Sequence, residues 1–301
     1  MRLQEESRSF LQKLIQSPPT LPFEPALLPL LFSATREDST VSRTDLVALI
    51  ERSQRLAVRV LALANSAAYG LEFKVSSLPQ AVKILGVREV RLLAVLVGMA
   101  CIIKETKLPK SFDVNALWLH QVHVAAIAKA LAEIVGRSPV PALNGKEELR
   151  LNMAPDEAYA AGLLHDIGKV FFAASRPHLW EFMDSSRREG DRRFFEIEND
   201  YWGIDHALIG AGVLHHWKLP LMLTEAINWH HEPELAPTYT MEARLLAASN
   251  LLAHHQPDAE NLFCEEALSL LPEGVDRSAI EAAVARNLAY ARAGLYANLL
   301  E

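Results

Sequence analysis

Apolar positions recur three and four residues apart along most of the chain, and no run of β-branched residues alternates with period two. The first pattern is that of helices buried along one face, and the second would mark strands, so the sequence predicts an all-α fold. Phe10, Leu11, Leu14 and Ile15 outline a first amphipathic helix stopped by Pro18-Pro19, and Ala26 to Phe32 outlines a short second helix interrupted by Pro29. The polar stretch from Ser33 to Thr44 reads as a loop. Ser42-x-x-Asp45 has the form of a capping box, and Leu46, Leu49 and Ile50 carry the apolar face that follows it. The next helix, from Leu56, is expected to run to Gly70, a residue suited to a helix C-terminus. Ser77, with Pro79 in the first turn, opens another; Gly86 breaks it, and Val87 to Ile103 continues with almost no polar face, as a core helix does.

Residues 104–115 are charged and contain Pro109, which marks a boundary between two lobes. A helix carrying Trp118, His120 and His123 then runs to about Val135, with the two histidines on one face. A long polar loop from Gly136 to Pro155 leads into a helix that contains His165 and Asp166. Residues 184–200, including Arg187, Arg188, Arg192 and Arg193, read as a charged, solvated face. Asp205-His206 opens an apolar helix through Trp217, and Pro220 starts another that ends in Trp229-His230-His231-Glu232-Pro233. From Ala243 onward Leu and Ala recur at helical spacing, with Pro257 and Pro272-Glu273-Gly274 as breaks. The expected organisation is a lead-in helix (1–19), a first helical lobe (20–108), a second helical lobe (109–256) and a C-terminal helical extension (257–301).

Composition narrows the function classes. Half of the 301 residues are apolar, enough for a sizeable core. A net charge of -7 provides no basic face for a phosphate backbone, so nucleic acid is not an expected partner. Cys101 and Cys264 form no C-x-x-C spacing, which argues against a disulfide framework or zinc knuckle and suits a reducing cytoplasm. Glu5, Glu6 and Arg8 interrupt any signal-like run, and Leu92 to Ile103 falls short of the ~20 residues of a membrane span. A soluble cytoplasmic protein with no membrane partner is therefore expected.

The chemically loaded residues lie in the second lobe, where His120, His165-Asp166 with Lys169, His206 and His230-His231 interrupt apolar helices. Imidazole and carboxylate together suit borderline divalent ions such as iron, manganese, nickel or zinc, and a carboxylate has two oxygens with which to bridge a pair of ions. Four separated helices contributing to one point would form a helical-bundle metal site. The other imidazoles, His123, His178, His215, His216, His254 and His255, read as surface or core-edge positions.

The order His, His-Asp, His, His-His is similar to that of the HD superfamily of metal-dependent phosphohydrolases, and Gly162-Leu163-Leu164-His165-Asp166-Ile167-Gly168-Lys169 resembles its central motif. The closer resemblance is to the HDOD family, HD-related output domains of bacterial signalling proteins. The first lobe of that family resembles Leu61-Ala62-Leu63-Ala64-Asn65-Ser66-Ala67-Ala68-Tyr69-Gly70 followed by Val75-Ser76-Ser77 and Ile84-Leu85-Gly86. The other lobe is similar to Leu117-Trp118-Leu119-His120, the His165-Asp166 motif, Gly203-Ile204-Asp205-His206 with Gly210, Trp217-Lys218-Leu219-Pro220, and His230-His231. The resemblance spans about residues 20–255. It implies a two-lobed helical module with a degenerate HD-type metal pocket in the second lobe, relaying signals through contact with signalling proteins.

The alternative it implies is a metal-dependent phosphohydrolase acting on a nucleotide or cyclic dinucleotide. On that pattern His120, His165, Asp166, His206, His230 and His231 hold the metal, with Asp166 bridging. Lys169, one turn from Asp166, either neutralises charge on a phosphate oxygen or forms an ion pair with Asp166. Two departures oppose catalysis. The HD-GYP relatives, which hydrolyse cyclic di-GMP, follow His-His-Glu with Gly-Tyr-Pro, whereas His230-His231-Glu232 is followed here by Pro233-Glu234-Leu235. The last aspartate of the superfamily set aligns with Asn250, a neutral amide, which weakens a second ion and favours one over two.

Overall fold

A computed structural model of the chain describes residues 2–17, 30, 42–65, 71–136, 150–190, 192–254, 264–272 and 274–292. Among the described residues every regular element is a helix, as the all-α reading expects. In order, α1 is Arg2–Gln16, α2 Arg43–Glu51, α3 Gln54–Ala64, α4 Leu78–Glu105 and α5 Val114–Val135. There follow α6 Pro155–Leu164, α7 Ile167–Ser175, α8 Pro177–Arg188, α9 Phe194–Trp202, α10 His206–His216 and α11 Leu221–Asn228. A 3-10 turn at Pro233–Leu235 precedes α12 Thr240–His254, α13 Glu265–Ser269 and α14 Arg277–Arg292. The predicted helix at Ala26 to Phe32 (Leu30 apart), the Pro18-Pro19 stop, Gly70, His255, Pro257 and the greater part of the loops at 33–44 and 136–155 lie outside the described residues.

Local chemistry sets the helix ends. At α2 the Ser42 hydroxyl accepts from the Asp45 amide at 3.2 Å and the Asp45 carboxylate accepts from the Ser42 amide at 3.1 Å, closing the capping box. Helix α3 stops at Ala64, short of Gly70, because the Asn65 side chain takes over. Its Nδ2 donates to Leu61 O and Val75 O and its Oδ1 accepts from Val75 N, each at 2.8 Å, so one amide caps the helix and pins the following loop. Gly86 interrupts α4 at φ 80, ψ 162, a backbone region nearly closed to residues with a Cβ.

Packing is organised around α5, which lies against α6, α12 and α14. Ala125, Ala126, Ala128, Ala130 and Ala132 keep its faces thin and are all buried. At Gly162 of α6 a Cβ would stand 2.5 Å from Ala125 Cα, so these two helices meet backbone to backbone. A continuous apolar cluster runs from Phe10 and Leu14 of α1 through Leu92, Leu96 and Met99 of α4 to Ile280 and Val284 of α14. Among the described residues no helix is long and apolar enough to cross a membrane.

Candidate metal centre

The His-Asp pair falls at a junction between two helices. His165 keeps helical angles at the end of α6, whereas Asp166, at φ -100 and ψ 8, leaves the helix before α7 begins. This differs from the sequence expectation of a helix containing both residues. The reason is packing: α7 turns to lie on α10, where a Cβ at Gly168 would stand 1.9 Å from the His206 carbonyl oxygen. The bend also brings Asp166 Oδ2 to 3.4 Å from His165 Nε2.

The structure brings all six sequence-predicted donors together. Ligand atoms of His120, His165 and Asp166 lie within 4.8 Å of one another, and those of His206, His230 and His231 do the same. Asp166 joins the two groups. Its Oδ2 is 3.8 Å from His120 Nε2, and its Oδ1 is 3.0 Å from His206 Nε2. His231 Nε2 lies 3.0 Å from the same His206 nitrogen, and Phe195 stacks on the His231 ring at 4.2 Å. His165, Asp166, His206 and His230 are buried, while His120, His231 and Lys169 are half-buried at the rim.

Backbone carbonyls fix two tautomers. His165 Nδ1 donates to Gly162 O at 2.8 Å and His230 Nδ1 donates to Ile227 O at 2.7 Å. A carbonyl only accepts, so the proton sits on Nδ1 and each Nε2 presents a lone pair. Those Nε2 atoms, with that of His120, are buried without a hydrogen-bond partner. Buried polar atoms are seldom left unpaired, and a cluster of inward lone pairs beside a carboxylate fits a divalent cation.

The electrostatics agree with that fit at four of the five rings, and His206 is the exception. Burial, reinforced by the charges of neighbouring imidazoles and Lys169, holds His165 and His230 at about 3, so both rings are neutral. Burial likewise lowers His120 and His231 well below the usual histidine value. For Asp166 burial alone would raise the carboxyl, but His165, Lys169 and His206 together hold it well below the ordinary range. Burial also opposes charge on His206, yet Glu198 and the bonds to Asp166 and Glu198 outweigh it and raise the ring to about 9.

Glu198 escaped the sequence reading, which took residues 184–200 as exposed. It is buried on α9, and its Oε2 accepts from both the His206 amide, at 3.1 Å, and His206 Nδ1, at 2.5 Å. The signal was present: Phe194, Ile197, Glu198 and Trp202 are spaced 3, 1 and 4 apart, which puts Glu198 on the apolar stripe of its helix. Asp184 is buried too, bridging to Arg187 at 3.0 Å and Arg188 at 2.7 Å, while the four arginines are exposed as expected. Lys169 takes the ion-pair geometry, with its Nζ 2.6 Å from Asp166 Oδ2. His178, His215 and His216 are exposed, in keeping with their reading. His254 is exposed as well, but its ring centroid lies 4.4 Å from that of His120, which puts it at the mouth of the centre. Asn250 is buried on α12 with its Oδ1 unpartnered.

Comparison with known proteins follows the same lines. One curated relative, an uncharacterised protein of Treponema pallidum (strain Nichols), is 26% identical over 201 residues; the match covers 67% of this chain and 36% of that protein. The chain thus spans about a third of the length of that relative. Among solved structures, an HDOD domain protein of unknown function from Geobacter sulfurreducens superposes with a TM-score of 0.73 at 23% identity, covering 97% of each chain. A provisionally assigned phosphohydrolase from Shewanella amazonensis SB2B gives 0.71 at 24% identity, covering 97% of this chain and 98% of the other. These likenesses show the fold. The family model of the HDOD domain matches residues 21–233, more than half of the sequence and most of the centre described above, and the chain belongs to the HDOD family.

Proposed function

We propose that this chain is a signal-transduction module that acts through contact with partner signalling proteins and holds one divalent ion in its HD-type centre. The observation that carries the reading is the position of Asp166. It is the one carboxylate among the six donors, it belongs to one group and touches the other, and both its oxygens are already engaged, by Lys169 at 2.6 Å and His206 at 3.0 Å. Five imidazoles and one acid suit a single borderline ion better than a pair of hard ones, whose affinity follows ligand charge. The residues that would hold the ion are His120, His165, Asp166, His206, His230 and His231, with Glu198 fixing the His206 ring. Elemental analysis of freshly purified protein is expected to find close to one ion per chain, lost in Asp166→Ala. Assays with bis(p-nitrophenyl) phosphate and cyclic di-GMP, in added Mn²⁺ or Fe²⁺, are expected to show no turnover. Turnover that disappears in Asp166→Ala overturns this reading in favour of an enzyme.

The specific observation favouring the enzyme is Lys169, whose side chain is 19% exposed beside a nearly complete donor set. In a metal-dependent phosphohydrolase the ion would supply charge neutralisation at a phosphoryl group. Lys169 would leave Asp166 to hold a phosphate oxygen, and the buried rings of His165 and His230 would keep water from the inner wall. Asn250 and the Pro233-Glu234-Leu235 sequence after the His-His pair weigh against it.

A further inference from the structure

Each donor group offers three protein donors: His206, His230 and His231 on one side, and His120, His165 and Asp166 on the other. Three leave a position that a further protein donor can take.

Helix α12 packs on both α5, which carries His120, and α6, which ends at His165. Two of its polar residues share a face four positions apart, Asn250 and His254. Asn250 is buried with its amide oxygen unpartnered, a neutral oxygen and a weak donor. His254, one turn further toward the mouth, lies with its ring centroid 4.4 Å from that of His120, whose own Nε2 is buried and partnerless.

We propose that His254 turns in as a further protein donor on the His120, His165 and Asp166 side of the centre, an imidazole supplied from the same helix face that otherwise offers only the Asn250 amide. This rests on the metal-holding reading above. It adds a sixth imidazole beside the one carboxylate, a set that selects zinc, iron or nickel over magnesium.

Zinc titration calorimetry on the full chain tests it, with wild type, His254→Ala, Asn250→Asp and the double variant; His178→Ala, at a side chain 97% exposed, serves as the control. His254→Ala is expected to weaken zinc binding by ~10-fold or more, a loss of the size seen when a metal site's supports are removed. His178→Ala is expected to leave it unchanged. In the Asn250→Asp background a carboxylate stands one turn away, so His254→Ala is expected to cost less than in the wild type. Copper(II) loaded into the protein provides a spectroscopic readout, because electron paramagnetic resonance counts coordinated nitrogens and His254→Ala should remove one. Thermal melts of the metal-free variants check that each is folded. Unchanged calorimetry and an unchanged copper spectrum in His254→Ala overturn the assignment while leaving the metal centre standing. Failure of the wild type to bind zinc at all overturns the metal reading itself, and this assignment with it.

Discussion

A single methyl group at Gly168 tests whether helix packing sets the centre. An alanine Cβ there would stand 1.9 Å from the His206 carbonyl oxygen, 2.7 Å from the Gly210 nitrogen and 2.8 Å from the His206 carbonyl carbon. All three are backbone atoms, so no side-chain rotation relieves the clash. Ordinary contact begins at 3.4 Å, and α7 and α10 must therefore part by about 1.5 Å. Overpacking of this kind costs ~3 kcal/mol, at the upper end of the usual range because backbone has to move. At ~2 °C per kcal/mol for a chain of this size, the melting temperature falls by ~6 °C. The same separation stretches the 3.0 Å contact between Asp166 Oδ1 and His206 Nε2 past hydrogen-bonding range, so metal affinity falls with stability. Differential scanning fluorimetry and zinc calorimetry on Gly168→Ala read both effects. Gly190→Ala is the control, since its Cβ meets only Ser186 O at 3.9 Å. A Gly168→Ala protein that melts and binds zinc like the wild type would refute the claim that this helix contact positions the centre.

Other perturbations reach the same network from different sides. His165 and His230 sit at about 3 when folded and at 6.5 when unfolded, so below pH 6.5 the unfolded chain takes up protons that the folded one refuses. Stability of the metal-free protein is expected to drop between pH 6.5 and 3, by up to ~1.4 kcal/mol per pH unit for each ring; a urea midpoint as high at pH 5 as at pH 7.5 would contradict this. His206 works in the opposite sense, its contribution being whole below pH 6.5 and lost as pH rises through about 9. Glu198→Gln removes the charge that raises His206, so NMR titration should find that ring shifted downward, with metal affinity reduced ~10-fold. Asn65→Ala abolishes both bonds to Val75 and the cap on Leu61, and is expected to cost ~2 kcal/mol in denaturant melts without changing zinc binding.

The fold class was legible because helical periodicity depends only on which residues are apolar, and burial along Val87 to Ile103 follows that pattern closely. The six residues that converge were legible by residue type and order, because His and Asp interrupting apolar helices stand out in the sequence. Neighbours acting through space were not. Glu198 was concealed by the charged residues around it, although its helical register with Ile197 and Trp202 marked it as buried. His254 had the pattern of an ordinary surface residue because its relation to His120 depends on how α12 crosses α5, which no local pattern encodes. Likewise Asn65 ends α3 well before Gly70 because of Val75, a partner ten positions distant.

What periodicity misses most is that this centre is built from helix ends more than helix faces. His165 closes α6, Asp166 precedes α7, His206 opens α10, and His230-His231 follow α11; only His120 projects from mid-helix among the six. Helix ends leave carbonyls and amides unpaired, and the centre uses them. Gly162 O and Ile227 O, in the last turns of α6 and α11, each accept from a histidine three residues on, and in both cases the result is an inward Nε2. At the opposite kind of terminus, the first-turn amide of His206 donates to the same Glu198 oxygen that holds its ring. Orientation of the imidazoles is therefore coupled to where each helix stops. A substitution that lengthens α6 by one turn, and so consumes the Gly162 carbonyl in a further helical bond, would release the His165 ring even though no donor had been changed.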